Sequence, residues 1–315
     1  MISVIIPIYN SGKDLERLLK SLKNQSFSDY EVIMIDDGSC DNSAEICENF
    51  LQEDNRFKYF YQDNGGVSVA RNNGMKKAKG EFITFLDADD EIDSNYLDVL
   101  FERSDADIVV CDVVVEADGK ERRHFIDEEL NLNKDEAIDL LLKREVINSG
   151  PCAKLFKREI IGEIEFPLMK TYEDILFVLD VFSKASFVKV TPETRYHYIE
   201  NTQGAMSKML KAPSTDIIVA SQKILDYINK TKEYRAPECF YVTLSHVFQY
   251  VLSMVNGECE YSKDFITKSK TLFRKSLVDI LKCSAVSKKE KLVFALYTTG
   301  FIYTDKKWIC VNKKR

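Results

Sequence analysis

The chain is short of the features that usually assign a protein quickly. Its eight cysteines (40, 47, 111, 152, 239, 259, 283 and 310) form no C-x-x-C pair and no metal-type spacing, which argues against a zinc site or a disulfide framework. They sit mostly in apolar runs, as the reduced thiols of a cytosolic protein do. No apolar run approaches the roughly 20 residues needed to span a bilayer. Met1–Pro7 has neither a basic segment nor a cleavage site, so no signal peptide is expected. Two phosphate-binding signatures, G-x-G-x-x-G and G-x-x-x-x-G-K-[ST], are missing, and the turn after the first apolar run holds a single glycine, Gly12. Any nucleotide phosphate must therefore be held by something other than a glycine-rich loop. Internal repeats and low-complexity segments are also missing.

What is present is the composition of an ordinary globular protein. With 315 residues, 45% hydrophobic and 30% charged, the chain can bury one large core or two modest ones. The net charge of −7 hides an asymmetry: Lys263–Arg315 carries 14 basic and 4 acidic residues. That split suggests an acidic body and a tail drawn to an anionic surface, with no nucleic-acid partner.

The first 115 residues alternate strands and helices. Strands are expected at Ser3–Ile8, Glu31–Ile35, Phe57–Tyr61, Phe82–Leu86 and Ile108–Val115. Between them lie helical patterns at Asp14–Asn24, from Asp41 or Ser43 to about Leu51, at Val67–Ala78 and near Ser94–Arg103. This rhythm predicts an α/β fold with a mostly parallel sheet covered by helices on both faces. Further on, Glu173–Lys184 reads as an amphipathic helix and Phe187–Val190 as a strand ended by Thr191-Pro192. From about Ser214 the pattern is consecutive helices, which places a soft boundary near 205–213.

In such sheets ligands bind beyond the carboxyl ends of the strands. Here those ends carry Pro7-Ile8-Tyr9-Asn10, Asp36-Asp37-Gly38-Ser39 and Asp87-Ala88-Asp89, and the three should converge on one crevice. Asp87, Asp89 and Asp90 follow a buried strand directly and must face water, a metal or a cation. An Asp-x-Asp pair can offer oxygens to one divalent ion that holds a diphosphate. An acidic turn capping the helix near Asp93 or Ser94 is the plain alternative. Glu173-Asp174 likewise reads either as acids at a helix N-terminus or as a catalytic carboxylate.

Taken in order, Ser3–Asn10, Gln25-Ser26-Phe27, Ile35–Asp41, Ala70-Arg71-Asn72, Gly80–Ile83 and Leu86–Asp90 resemble the family 2 glycosyltransferases of the GT-A fold. Lys154–Arg158 and Tyr172–Phe177 are similar to the family's second-half signatures, and the resemblance fades after residue 205. It implies a GT-A catalytic domain over 1–205, with a nucleotide-binding half (1–115) and an acceptor half (116–205), followed by a helical region over 206–315. It also implies an inverting, metal-dependent hexosyl transfer from a UDP-sugar to a glycan or lipid-linked glycan in bacterial surface polysaccharide synthesis. On this resemblance Pro7 and Tyr9 line the base pocket, Asp37 rather than Asp36 bonds the uracil edge, and Arg71 approaches base or phosphates. Asp87 contacts ribose or metal, Asp89 ligates Mn²⁺ or Mg²⁺, and Asp174 is the general base. A catalytically inactive binding module would lack these acids, and a sugar nucleotidyltransferase would carry an arginine-bearing glycine loop after the first strand.

Of the three histidines, His124 reads as a surface residue and His246 as a packing residue. His197 is either a late metal ligand, as some GT-A enzymes have, or an ordinary position in an aromatic-rich strand. The chain departs from the family pattern at Ala153, where Asn often stands, and at Ile199, where Arg often stands. The run Leu292–Tyr303, flanked by lysines and Trp308, suits either an interfacial helix on the inner face of the cell membrane or a packed terminal helix. The expected location is cytoplasmic, peripheral to that membrane.

Overall fold

A computed structural model of the protein describes residues 1–117, 120–123, 126–200, 211–231, 235–304 and 307–310. The chain divides into two compact units, Met1–Glu200 and Asn201–Arg315. Residues 205–210 of the expected boundary, together with His124, Lys306 and the Trp308 side chain, lie outside the described residues.

The first unit opens with β1 (Ile2–Ile8), α1 (Leu15–Lys23), β2 (Tyr30–Asp36), α2 (Ser43–Glu53), β3 (Phe57–Tyr61), α3 (Val67–Lys77) and β4 (Phe82–Phe85). Leu15, Leu18, Leu19 and Leu22 form the buried stripe of α1, and all seven residues of β2 are buried. β1 pairs in parallel with β2 on one side and β4 on the other. The chain thus steps outward from β1 to β3, then returns to place β4 beside β1. Right-handed crossovers put α1 and α2 on one face and α3, on the return path, on the other. The crevice of this reversal opens above β1 and β4.

The second half of the unit adds β5 (Glu91–Ile92), α4 (Tyr96–Glu102), β6 (Ile108–Ala117), β7 (Lys120–Arg123), β8 (Leu130–Asn133) and α5 (Lys134–Lys143). After these come β9 (Lys154–Lys157), the single turn α6 (Arg158–Ile161), α7 (Glu173–Phe182) and β10 (Phe187–Ile199). The sheet order is β3-β2-β1-β4-β9-β6-β10-β5, with β7 on β6 and β8 on β10. β9 runs antiparallel to both β4 and β6, so β1, β2, β3, β4, β6 and β10 share one direction. The strand expected at Phe187–Val190 does not stop at Pro192. It passes a bulge between Thr191 and Arg195 and re-pairs with β6 as far as Ile199, because a bulge is where a strand tolerates proline.

An aromatic cluster joins the halves. Phe166 and Phe177 stack at 3.8 Å, and Phe85 meets both edge-on at 5.3 and 5.8 Å. Phe156 of β9 closes the group against Phe85 and Phe177. Edge-to-face and stacked rings of this kind add to the burial of the rings themselves. α7 is thereby packed against the strand that leads into Asp87.

The second unit contains α8 (Asp216–Lys230), α9 (Pro237–Asn256), α10 (Lys263–Lys275), α11 (Leu277–Lys282) and α12 (Lys288–Thr299), then a hairpin of β11 (Phe301–Thr304) and β12 (Lys307–Cys310). Phe248, Phe273, Phe294 and Tyr297 share its core, and the Tyr297 hydroxyl bonds to Ser269 at 2.6 Å. The Leu292–Tyr303 run is therefore not one interfacial helix. Its helix buries Phe294 and Tyr297, ends before Gly300 in the left-handed region (φ 104°), and gives way to a strand.

α3 is set down close on the sheet at Gly74. A Cβ built there would stand 2.4 Å from Ile5 Cγ2, and Ile5 is fully buried in the central strand. Gly74→Ala should therefore lower unfolding stability by about 1–3 kcal/mol through overpacking. Urea unfolding would register this as a lower midpoint at unchanged slope.

Candidate active site

The turn after β1 is fixed by side chains rather than by glycines. Asn10, at φ 49°, donates its N–H to Ser39 Oγ (3.0 Å) and accepts the Cys40 N–H on its Oδ1 (2.8 Å). Gly12 N–H donates to Asp41 Oδ2 at 2.9 Å. The β1 and β2 turns are thus stitched into one rim, with the Tyr9 ring 55% exposed on it. Pro7 costs the sheet nothing. The Ile8 carbonyl serves β2, and the Ile5 carbonyl takes the last bond from the β4 side, the Leu86 N–H. The ring's missing N–H therefore falls where β4 has already ended.

The two acids after β2 do different work. Asp36 is buried, accepting the Ser39 N–H (2.8 Å) and the Tyr59 hydroxyl (2.7 Å). Asp37 accepts Gln62 Nε2 (2.7 Å) and the Gly65 and Gly66 amides (both 2.8 Å). Gly66 itself sits at φ 89°, which suits glycine. Asp37 therefore organises the entry to α3, and three of its roughly four lone-pair positions are filled.

Arg71 occupies the centre. It is buried, with one guanidinium nitrogen 2.9 Å from Asp87 Oδ1 and another 3.2 Å from Glu173 Oε1. Its Nε is buried without a partner. From the same helix Asn72 pairs with the Phe166 backbone as a strand would, donating to its carbonyl (3.0 Å) and accepting its N–H (2.8 Å). β4, α3 and α7 are so joined at the polar end of the sheet.

Around this ion pair the remaining acids are held unevenly. Burial, and then the adjacent Asp87 charge, raises the Asp89 pKa. Asp90 is driven up by burial and by Asp87, and its carboxylate takes the Ile199 N–H at 3.0 Å and the Tyr196 hydroxyl. That hydroxyl also accepts the Asp87 N–H at 3.1 Å. Asp174 opens α7 beside Glu173, accepts the Ile175 N–H at 2.7 Å, and is raised by burial against the opposing pull of Arg71 and Arg144. Just before α7, Tyr172 takes φ 64°, a conformation that a bulky residue holds only under constraint from its surroundings.

A model of the family described as glycosyl transferase family 2 matches residues 3–165. The chain belongs to that family. It is 32% identical over 249 residues to the glycosyltransferase GlyG of Streptococcus pneumoniae, covering 72% of this chain and 81% of that protein. It is 34% identical over 172 residues to a Campylobacter jejuni GalNAc(5)-diNAcBac-PP-undecaprenol β-1,3-glucosyltransferase, covering 52% of this chain and 54% of that one. Among solved structures, S. aureus TarS 1–349 in complex with UDP-GlcNAc aligns over 98% of this chain and 95% of its own, with a TM-score of 0.69 at 21% identity. That likeness is one of fold. This family 2 glycosyltransferase is accordingly an enzyme of GT-A architecture, and Asp174 lies just past the matched segment.

One expected site residue of the transferase lies elsewhere. His197 follows Tyr196 on β10, and successive strand residues point to opposite faces. Tyr196 reaches Asp87, whereas His197 is clamped on the other side, Nε2 to Asp93 Oδ1 at 2.8 Å and Nδ1 to Glu116 Oε1 at 2.6 Å. Both ring nitrogens are taken by carboxylates, which leaves none for a metal. The site residues not singled out from sequence are Glu173 as the partner of Arg71 and Tyr196 as the clasp on Asp87 and Asp90. Their partners lie about a hundred positions away, so spacing gives no sign of them. The departure at Ala153 carries a backbone cost. Ala153 is buried at φ 61°, a region Asn and Gly enter more readily than Ala.

Two outcomes follow from these contacts. The Asp93 hydrogen bond, against an opposing effect of burial, raises the His197 pKa from 6.5 to about 9. Its contribution, on the order of 1–2 kcal/mol for a partly exposed clamp, should be complete below pH 6.5 and vanish as the pH climbs through 9. Chemical unfolding across that window should show wild type losing stability relative to His197→Gln as the pH rises, the difference between the two profiles isolating the clamp from other groups that titrate there. Ala153→Gly should stabilise the fold by up to about 1 kcal/mol by relieving the left-handed alanine, read as a higher melting temperature.

Proposed function

We propose that the enzyme transfers a sugar from a UDP-sugar to a hydroxyl of a glycan or lipid-linked glycan in bacterial surface polysaccharide synthesis, with inversion at the anomeric carbon. The observation that carries this is the Asp87–Arg71–Glu173 bridge. It holds the strand-end acids and the start of α7 in one rigid arrangement, with Asp174 next to Glu173. The undecaprenyl diphosphate in the name of the Campylobacter relative and the UDP-GlcNAc bound by the TarS structure support the classes of acceptor and donor.

Tyr9 would stack on the uracil from the rim, Pro7 would line the pocket beneath it, and the remaining lone pair of Asp37 would take the uracil edge. The Arg71 Nε–H, buried without a partner, would be left to bond an oxygen of the sugar donor. Asp174 takes the proton from the acceptor hydroxyl as that oxygen attacks the anomeric carbon, and the bond to the diphosphate breaks on the opposite face. Asp87, through the oxygen not given to Arg71, and Asp89 fit a divalent cation. Both are hard oxygen donors, and each crowds the other's negative charge, as a cation between them would relieve. When bound, Mn²⁺ or Mg²⁺ would supply charge that stabilises the departing UDP. Peripheral attachment to an anionic membrane is favoured by the basic balance of 263–315 and by Val278, Leu281 and Leu292, exposed near Lys282, Lys288 and Lys289.

Thermal unfolding with a panel of nucleotides, with and without Mn²⁺, tests the donor site. UDP and one or more UDP-sugars should raise the transition by mass action, and Asp89→Ala should lose the metal-dependent part. Asp174→Asn should keep that stabilisation yet lose about 10²–10⁴ in transfer. The wild-type rate should fall on the acid side at a pH above the ordinary carboxylate range. No shift with any uridine nucleotide, or an Asp174→Asn variant of wild-type rate, would overturn the reading.

A further inference from the structure

Lys154 opens β9 and is completely shielded from solvent. Its ammonium nevertheless meets four oxygens: Asn148 Oδ1 and the Gly150 carbonyl at 2.7 Å, the Asn148 carbonyl at 3.0 Å and the Cys152 carbonyl at 3.4 Å. Burial pulls its pKa down to about 7, against the opposing influence of Cys152, Cys111 and Asp174. A buried ammonium is costly to desolvate, and an apolar side chain of similar volume would fill the same space more cheaply. Packing alone does not account for it.

What the ammonium gathers is a short segment that lies against Asp174. A Cβ built on Gly150 would stand 3.9 Å from Asp174 Oδ2 and 3.6 Å from Asn148 Oδ1. Asn148 Oδ1 also accepts the Gly150 N–H at 3.0 Å, so one amide oxygen is shared by the lysine and the glycine. Near the segment's ends, Arg144 (φ 56°) and Ala153 (φ 61°) take left-handed conformations, which a chain keeps only where surrounding contacts over-determine it. Asp174 is thus faced by Arg71, Arg144, Asp87, Glu173 and Lys154. The hydrogen bonds of Lys154 run to the backbone beside the carboxylate.

We propose that Lys154 is a positioning residue of the transfer reaction. Its ammonium ties Asn148, Gly150 and Cys152 into a fixed wall, and the side-chain-free Gly150 in that wall leaves Asp174 Oδ2 open to the acceptor hydroxyl. The inference rests on Asp174 acting as the base. Misplacing such a wall by about an ångström is enough to cost orders of magnitude in rate.

The test compares Lys154→Met, Gly150→Ala and Asp174→Asn with wild type. UDP release is measured from the UDP-sugar of the thermal panel (glucose, galactose, N-acetylglucosamine or N-acetylgalactosamine) with water alone and with octyl β-glycosides as probe acceptors. Gly150 is not in the left-handed region and its added methyl meets only ordinary contacts, so Gly150→Ala folds and decides the matter if Lys154→Met does not. Both variants should keep the UDP-induced stabilisation of the wild type and lose tenfold or more in turnover. N-ethylmaleimide should label Cys152 faster in Lys154→Met, as the wall loosens. Wild-type turnover in Gly150→Ala, or in a folded Lys154→Met, alongside an inactive Asp174→Asn would overturn the positioning role alone. Wild-type turnover in Asp174→Asn would remove the base itself, and the two failures are told apart by that variant.

Discussion

The architecture of the site depends on a single buried guanidinium. Arg71 lies between Asp87 at the end of β4 and Glu173 at the start of α7, two segments that the sheet alone would not bring together. Removing one partner from such an arrangement leaves a charge buried without compensation, which is far more costly than the intact pair is favourable. The three groups therefore define a geometry more than they add stability. Neighbouring features conform to it: Asn72 clamps Phe166 from the same helix, and Gly74 lets that helix lie close on β1.

Beneath the polar layer, the same motifs supply the packing. Phe85, Phe156 and Phe177 each belong to a segment that also carries a polar residue of the site, and with Phe166 their rings share one cluster. Gln25 behaves similarly. Its amide accepts the Leu97 N–H at 2.9 Å and donates to the Ser21 and Asp93 carbonyls, at 3.1 and 2.8 Å. A motif of this family is therefore a packing instruction and a chemical one written in the same few residues, and neither can be altered without disturbing the other.

Much of the first half was legible from sequence because its signals are local. The leucine stripe of α1, the apolar strands and the acids at their ends all follow periods of two or 3.6 residues, and the order of those elements implies the parallel sheet. What was not legible depends on distant partners. Nothing near Arg71 shows that it reaches position 173. Nothing near Asp37 shows that its oxygens are spent on the Gly65 and Gly66 amides. The end expected for β10 at Pro192 rested on a sound local rule, which the pairing with β6 overrides beyond the bulge. In the tail, apolar content was plain but its destination was not, since a helix bound for a membrane and one bound for an aromatic core read alike over twelve residues.

The bulge in β10 has a consequence for how this chain can change. Beyond it the pairing with β6 sets the phase of the strand, sending Tyr196 toward Asp87 and His197 toward Asp93 and Glu116. Phase in a strand is a parity, even or odd, with no intermediate value. A slip of one residue in the pairing of Arg195–Ile199 with β6 would turn Tyr196 and His197 each to the opposite face, and a slip of two would return the faces but bring different residues to both positions. Because Pro192–Thr194 have no partner in β6, that stretch can change in length and leave the phase intact, so the tolerance of this strand to insertion is concentrated where it is unpaired.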